Sequence, residues 1–228
     1  MAVTRPNDGN RNDARADIWA DIWTDIRHDT RTGARMSARD RHNDPASDMP
    51  QVLASDSPYD DGWVRLNRDE LRFPDGSEGR RVWLELQFPF VCNVVPVLPS
   101  GDIVFVEVYR YAVKRWLLEL PGGLGEGGET PEESAVRELK EETGLTAGRL
   151  TRLGKINVDP GLLAHDTHVF RADGCTGWDA GHSDPGDQIR RVVSIPHAEV
   201  ERQVASGEII HGPTLIALYL DRLADRTP

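Results

Sequence analysis

The stretch from Gly122 to Leu145, GGLGEGGETPEESAVRELKEETGL, does most to limit what this chain can become. Gly122, Gly123, Gly125, Gly127 and Gly128 run straight into an acidic segment. Thr130, Pro131 and Glu133 supply an N-cap, a proline for the first helical position and the reciprocal glutamate of a capping box, so a helix is expected to start there. Gly144 fits the left-handed stop just past its end. Between these, Glu138, Glu141 and Glu142 are spaced three and four apart and share one side, while Ala135, Val136 and Leu139 are expected to face the core.

A run of charge on a helix is ordinarily a solvated face. Here the acids repel one another with only Arg137 and Lys140 nearby, and their placement makes more sense around a hard divalent cation that takes oxygen ligands. A glycine run alone is a flexible connector. Delivered into a capped helix beside Glu129 and three carboxylates, it lets backbone approach a phosphate chain closely. The chemistry implied is attack of water on a phosphoanhydride with metal ions absorbing developing charge. Arg137 is placed to orient a neighbouring carboxylate rather than to touch substrate; its bland reading is a surface arginine.

The 228 residues suffice for one domain with a proper core plus a tail. A net charge of -11 and the absence of a dominant basic cluster argue against a general grip on nucleic acid. Cys92 and Cys175 make neither a disulfide framework nor a paired metal spacing, which suits a reducing, cytoplasmic setting. No apolar run approaches the roughly 18 residues of a membrane span, and the N-terminus is too polar for a secretory signal. No membrane or nucleic-acid partner is therefore expected.

Residues 1–56 contain no glutamate or lysine and little apolar content, as a disordered tail would. Within them Asp13, Asp17, Asp21, Asp25 and Asp29 recur every four residues beside Ile18, Ile22, Ile26, Trp19 and Trp23. Two readings stand: a tail, or translated upstream sequence ahead of a start at Met36 or Met49; and an amphipathic segment that folds on a partner. A domain is expected over 57–228. Short apolar runs around Pro74-Asp75-Gly76 read as antiparallel strands over 57–90. Cys92 to Leu98 and Ile103 to Tyr109 read as a strand pair across Pro99-Ser100-Gly101-Asp102, with Trp116 to Leu120 a further strand. After the acidic helix come strands over Leu150 to Val158, His168 to Ala172 and Ile189 to Ile195, a loop from Asp173 to Gln188, and helices over Ala198 to Ser206 and Thr214 to Leu223. These alternations imply an α/β architecture with a mixed sheet covered on both faces.

The spacing from Gly123 through Glu129, Arg137, Glu138, Leu139, Glu141, Glu142, Gly144 and Leu145 resembles the Nudix box residue for residue. Nine specified positions at fixed spacing arise by chance in fewer than roughly one chain in a million. A looser resemblance to the ADP-ribose pyrophosphatase branch runs from about Trp63 to Leu223. It rests on Pro160, sixteen residues after Gly144 in Asp159-Pro160-Gly161, on Tyr109-Arg110-Tyr111, on Leu118-Glu119-Leu120-Pro121 and on the ending around Thr214. The resemblance implies an alpha/beta/alpha sandwich, a homodimer through the N-terminal strands, and cleavage of ADP-ribose or a related nucleoside diphosphate sugar with magnesium, or manganese in its place. By the same likeness Glu138, Glu141 and Glu142 hold metal, Glu129 supports them from the loop, and Arg137, Glu141 and Glu142 serve catalysis. Arg110, Glu119, Gly123 and Pro160 are its candidates for binding substrate.

Two departures stand out. His165, with Asp166 beside it, stands where the branch often has a carboxylate; His165 and His168 are read as ordinary loop and strand residues rather than as a ligand pair. In the Asp173 to Gln188 loop, where the family commonly carries a glutamate base, the chain has only Asp179, Asp184 and Asp187, of which Asp187 best matches the pattern. GDP-mannose is an alternative substrate of the same class, and a non-catalytic ligand-sensing module is an alternative of another. Loss of box glutamates or an added basic DNA-binding segment would signal the latter, and neither is present.

Overall fold

The structure, a computed structural model, describes residues 49–178 and 188–225. Among the described residues ten strands precede, flank and follow three helices. The strands are β1 (Gln51–Asp60), β2 (Val64–Arg72), β3 (Glu78–Leu86), β4 (Val91–Pro96), β5 (Ile103–Arg110), β6 (Arg115–Glu119), β7 (Arg149–Ile156), β8 (Leu163–Ala164), β9 (Thr167–Asp173) and β10 (Ile189–Ile195). The helices are α1 (Pro131–Thr143), α2 (His197–Ser206) and α3 (Gly212–Ala224).

Alternation along the strands decides the layers. Side chains on a strand point to opposite faces in turn, so a strand buried on both sides reads as a continuous apolar run. In β4 and β5 this separates Cys92, Val94, Val104, Val106 and Val108 from Val95, Ile103 and Phe105. The first set packs with Ala135 and Leu139 of α1, together with Phe170 and Ala172. The second packs with Val200 of α2 and Ala217 of α3, together with Val169 and Ile209. Strands are thus clothed by α1 on one side and by α2 and α3 on the other, an α/β/α sandwich.

Among the described residues the strands form three sheets, two of them mixed. One has the order β10-β5-β6, all antiparallel; another has β4-β9-β7, with β4 parallel to β9. The N-terminal sheet has the order β1-β2-β3-β8, antiparallel apart from β8.

The expected pairing of Cys92 to Leu98 with Ile103 to Tyr109 is not found. The turn closes, with the Gly101 N–H donating to Leu98 O at 2.9 Å, but the strands share only the Val97–Ile103 bridge and then part. The reason lies in what occupies β4. One edge pairs with β9, and the other receives the chain after β6: Val94 N–H donates to Pro121 O and Cys92 N–H to Gly123 O, both at 2.9 Å. Two further differences are local. Val136 is half exposed, since the face that α1 buries runs through Ser134, Ala135, Glu138, Leu139, Glu142 and Thr143. Strand β1 runs across the boundary expected after Asp56; all its residues are exposed, and it is held by β2 and by Arg68–Asp56 and Arg65–Asp60 ion pairs rather than by burial.

Leu139 is almost fully buried and Val136 is not, so truncation should separate them. Leu139→Ala is expected to lower unfolding free energy by about 2–5 kcal/mol. Val136→Ala should change it by less than about 1 kcal/mol, because lost contact is offset by helix propensity. Urea unfolding of both variants checks the pair.

Candidate active site

Helix α1 starts where its capping residues place it. Thr130 is extended (φ -80, ψ 157), its hydroxyl accepts from Glu133 N–H at 3.2 Å, and the Glu133 carboxylate accepts from Thr130 N–H at 2.8 Å. Gly144 ends the helix at φ 72, with Lys140 Nζ donating to its carbonyl at 2.7 Å. Both ends are fixed before any tertiary contact is counted, so the three glutamates occupy set angular positions.

The glycine approach is laid against the start of β4. Beyond the two bonds from β4, Gly125 N–H donates to Phe90 O at 2.9 Å and Val91 bridges Leu124. Space there excludes side chains. A Cβ at Gly122 would stand 2.1 Å from Cys92 O, one at Gly125 2.4 Å from the Phe90 ring, and one at Gly123 2.5 Å from Glu138 Oε1. The helix and the loop are joined where Gly122 N–H donates to Glu142 Oε2 at 2.8 Å.

Arg137 gathers the acids. Its Nε and Nη2 reach the two oxygens of Glu129 at 2.8 and 3.0 Å, and Nη1 reaches Glu138 and Glu141, each at 2.9 Å. Nη2 also donates to Leu124 O at 3.0 Å, tying helix to loop. The hydrogen bond from Arg137 chiefly, then that from Glu126 N–H, pulls the Glu129 carboxyl from its ordinary 4.5 down to about 2. Arg137, expected to orient a neighbouring carboxylate, thus touches three of them. Glu129, expected in the metal set, has both oxygens on Arg137 and one also on Glu126 N–H. Its position is that of a loop anchor.

Glu138 and Glu142 are buried, whereas the Glu141 side chain is half exposed. Among the described residues, no three acidic, imidazole or thiol groups already converge as a cage. Oxygen donors on one helix face, beside a Gly123 that leaves room for the Glu138 carboxylate alone, nevertheless match the hard ligands that magnesium or manganese takes.

Glu119 is buried and receives Arg110 through two bonds, Nε to Oε1 at 2.9 Å and Nη2 to Oε2 at 2.7 Å. Glu119 therefore serves by holding Arg110, whose side chain is half exposed. Pro160 lies in the exposed turn between β7 and β8, where Leu163 N–H donates to Asp159 O at 2.7 Å. His168 sits on β9 with its ring edge-on to Phe90, and His165 lies between β8 and β9, its buried Nδ1 without a hydrogen-bond partner. Asp179, Asp184 and Asp187 lie outside the described residues. The chain re-emerges at β10, where Glu107 receives Arg190 through two bonds of 2.7 Å.

In the sequence Thr214 is only part of a resembling ending; in the structure its hydroxyl accepts from Leu120 N–H at 2.9 Å. A contact across so long a stretch of chain leaves no local signal. For His211, at the N-cap of the helix that begins Gly212-Pro213, the one sequence clue is a polar residue at a cap.

A capped acidic helix, a glycine loop packed against its carboxylates and an α/β/α sandwich define a Nudix hydrolase, and the chain belongs to that family: the NUDIX domain pattern matches residues 90–210. Within it, the chain is similar to an ADP-ribose pyrophosphatase of Mycobacterium tuberculosis, 32% identical over 71% of this chain and 77% of the relative. It is also similar to an ADP-ribose pyrophosphatase of Bacillus subtilis, 27% identical over 77% of this chain and 94% of that one. The crystal structure of an ADP compounds hydrolase shares the fold, with a TM-score of 0.64 and 23% identity over 76% of this chain and 92% of the other.

Two outcomes follow from the packing at Gly122 and Gly123. Gly123→Ala meets only the end of a flexible side chain, so its melting temperature should stay within about 3 °C of wild type while turnover falls about 100-fold or more. Gly122→Ala meets backbone and should lose about 3 kcal/mol or more. Thermal melts beside initial rates distinguish the two. The Glu129 shift has a definite sign: a depressed carboxyl stabilises the fold above its ordinary value near 4.5 and loses that contribution as pH falls toward about 2. The melting-temperature gap between wild type and Glu129→Gln should therefore be constant above about pH 5.5 and close as pH falls through that window.

Proposed function

We propose that this chain hydrolyses the pyrophosphate bond of ADP-ribose or a related nucleoside diphosphate sugar, giving a nucleoside monophosphate and a sugar phosphate. The observation that carries the reading is the alignment of Glu138, Glu141 and Glu142 on one face of α1, closed against the glycine loop by the Gly122–Glu142 bond and by Arg137. The ADP-ribose pyrophosphatases among its relatives support the substrate class.

In this reading Glu138, Glu141 and Glu142 hold magnesium, or manganese in its place. The bound cation neutralises phosphate charge and lowers the pKa of water. The chain's own residues do the rest. Arg137 keeps Glu138 and Glu141 at fixed angles and draws Leu124 toward the helix, so that donors and loop stay in register. Arg110, held by Glu119, directs a cation toward the diphosphate. Asp187 takes the proton of the attacking water, one phosphorus–oxygen bond forms as the bridging one breaks, and the two monoesters leave.

The N-terminal sheet supplies the contact with a second copy. Its edge strand β1 is exposed throughout and carries Val52, Leu53 and Tyr59 at the surface, and Trp63, just before β2, and Val82 on β3 are exposed too. Such an edge is suited to pairing with another chain. Among the described residues no helix is long and apolar enough to cross a membrane.

The test is a panel of ADP-ribose, GDP-mannose and other nucleoside diphosphate sugars incubated with the full chain and magnesium, scored for monophosphate. Release from ADP-ribose is expected to lead, and Glu141→Gln combined with Glu142→Gln should reduce it about 1,000-fold or more. Unchanged turnover in that variant would refute the carboxylate assignment, and no release from any compound would refute the activity.

A further inference from the structure

Resting on the reaction proposed above, we infer that His211 and Thr214, in the first turn of α3, are positioning residues that hold both the substrate-facing Arg110 and the chain feeding the glycine loop. Neither side chain serves its own helix. His211 stands at the N-cap without a side-chain bond to the helix backbone. Thr214 is fully buried, and its hydroxyl oxygen is turned to the end of β6, accepting from Leu120 N–H at 2.9 Å.

The same hydroxyl is paired with His211 Nδ1, 3.0 Å away, and in the inferred arrangement it gives its proton to that nitrogen. In that arrangement His211 carries its ring proton on Nε2, which stands 3.4 Å from Glu119 Oε2, an electrostatic contact rather than a formed hydrogen bond. Glu119 is 1% exposed, and the same oxygen accepts from Arg110 Nη2 at 2.7 Å. Burial, the first cause, lowers the imidazole pKa and favours this neutral ring.

Two parts of the site therefore depend on one helical turn. Through Glu119 it fixes the guanidinium of Arg110. Through Leu120 it fixes the peptide ahead of Pro121 and Gly122, where Pro121 O is bound to β4 and Gly122 N–H to Glu142. A shift at Leu120 is handed to Glu142 within two residues of chain. The arrangement lies outside the box and joins it from the far end of the sequence.

Four variants of the full chain separate positioning from simple packing. Thr214→Val keeps shape and loses the hydroxyl; Thr214→Ser keeps the hydroxyl. His211→Leu removes the polar ring N–H that faces Glu119, and His211→Gln retains an N–H there. With the best substrate of the panel, Thr214→Val should lower kcat about 10-fold or more, and Thr214→Ser should recover to within about 3-fold of wild type. His211→Leu should raise KM about 10-fold with kcat little changed, and His211→Gln should reverse most of this. Nitrogen-15 spectra supply a readout that needs neither activity nor a stable variant: the His211 ring of the wild type should show the neutral form protonated on Nε2. Where Thr214→Val folds, its Gly122 amide should move and that of Thr214→Ser should not. A ring protonated on Nδ1 would overturn the inference. So would equal kinetics for the valine and serine variants, or an unchanged KM in His211→Leu. A wild type that releases no monophosphate sinks the proposed reaction and the positioning role with it. An active wild type whose variants fail to separate sinks only the latter.

Discussion

Arg137 presents five N–H donors in a rigid fork, and five of its neighbours, Glu129, Glu138, Glu141, Leu124 and Ser134, take them. Carboxylates this close repel one another, and a helix face that carries them needs a counter-charge to stay ordered. The guanidinium supplies it from within the same helix. Because it also holds Glu129 and Leu124, it fixes the glycine loop relative to α1, so the acids and the backbone beside them form one unit.

That unit is attached to the sheet by backbone. The loop lies along β4 through the bonds to Val94, Cys92 and Phe90, and glycine at 122, 123 and 125 is what allows so close an approach. From the other side Thr214 holds Leu120. Catalytic geometry of this kind rests on positions controlled to fractions of an ångström, which hydrogen-bonded strands and capped helices supply better than free loops.

What was legible in the sequence was mostly local. The helix with its capping box and glycine stop, the sharing of one side by Glu138, Glu141 and Glu142, and the two-faced burial of β4 and β5 all follow from short-range periodicity. Long-range choices did not show. That β4 prefers β9 and the chain after β6 over its neighbour β5 depends on partners far along the chain. Val136 satisfied an apolar pattern yet fell outside the arc that α1 buries, because that arc is filled by Glu138 and Glu142 turned toward the loop. Strand β1 has a tail's composition and is ordered by pairing and ion pairs, which composition does not register. Glu119 gave no hint that it is a buried anchor for Arg110, since His211, which stands beside it, arrives from α3.

The proposed reaction requires the Glu138, Glu141 and Glu142 face of α1 to take a divalent cation. Titration of the full chain with Mn2+, followed by the paramagnetic resonance of the free ion, tests this. Glu132, on the same helix but half exposed and outside the arrangement, provides the control. Saturable binding is expected, weakened about 10-fold or more in Glu142→Gln and unchanged in Glu132→Gln. Equal affinity in wild type and both variants would contradict it.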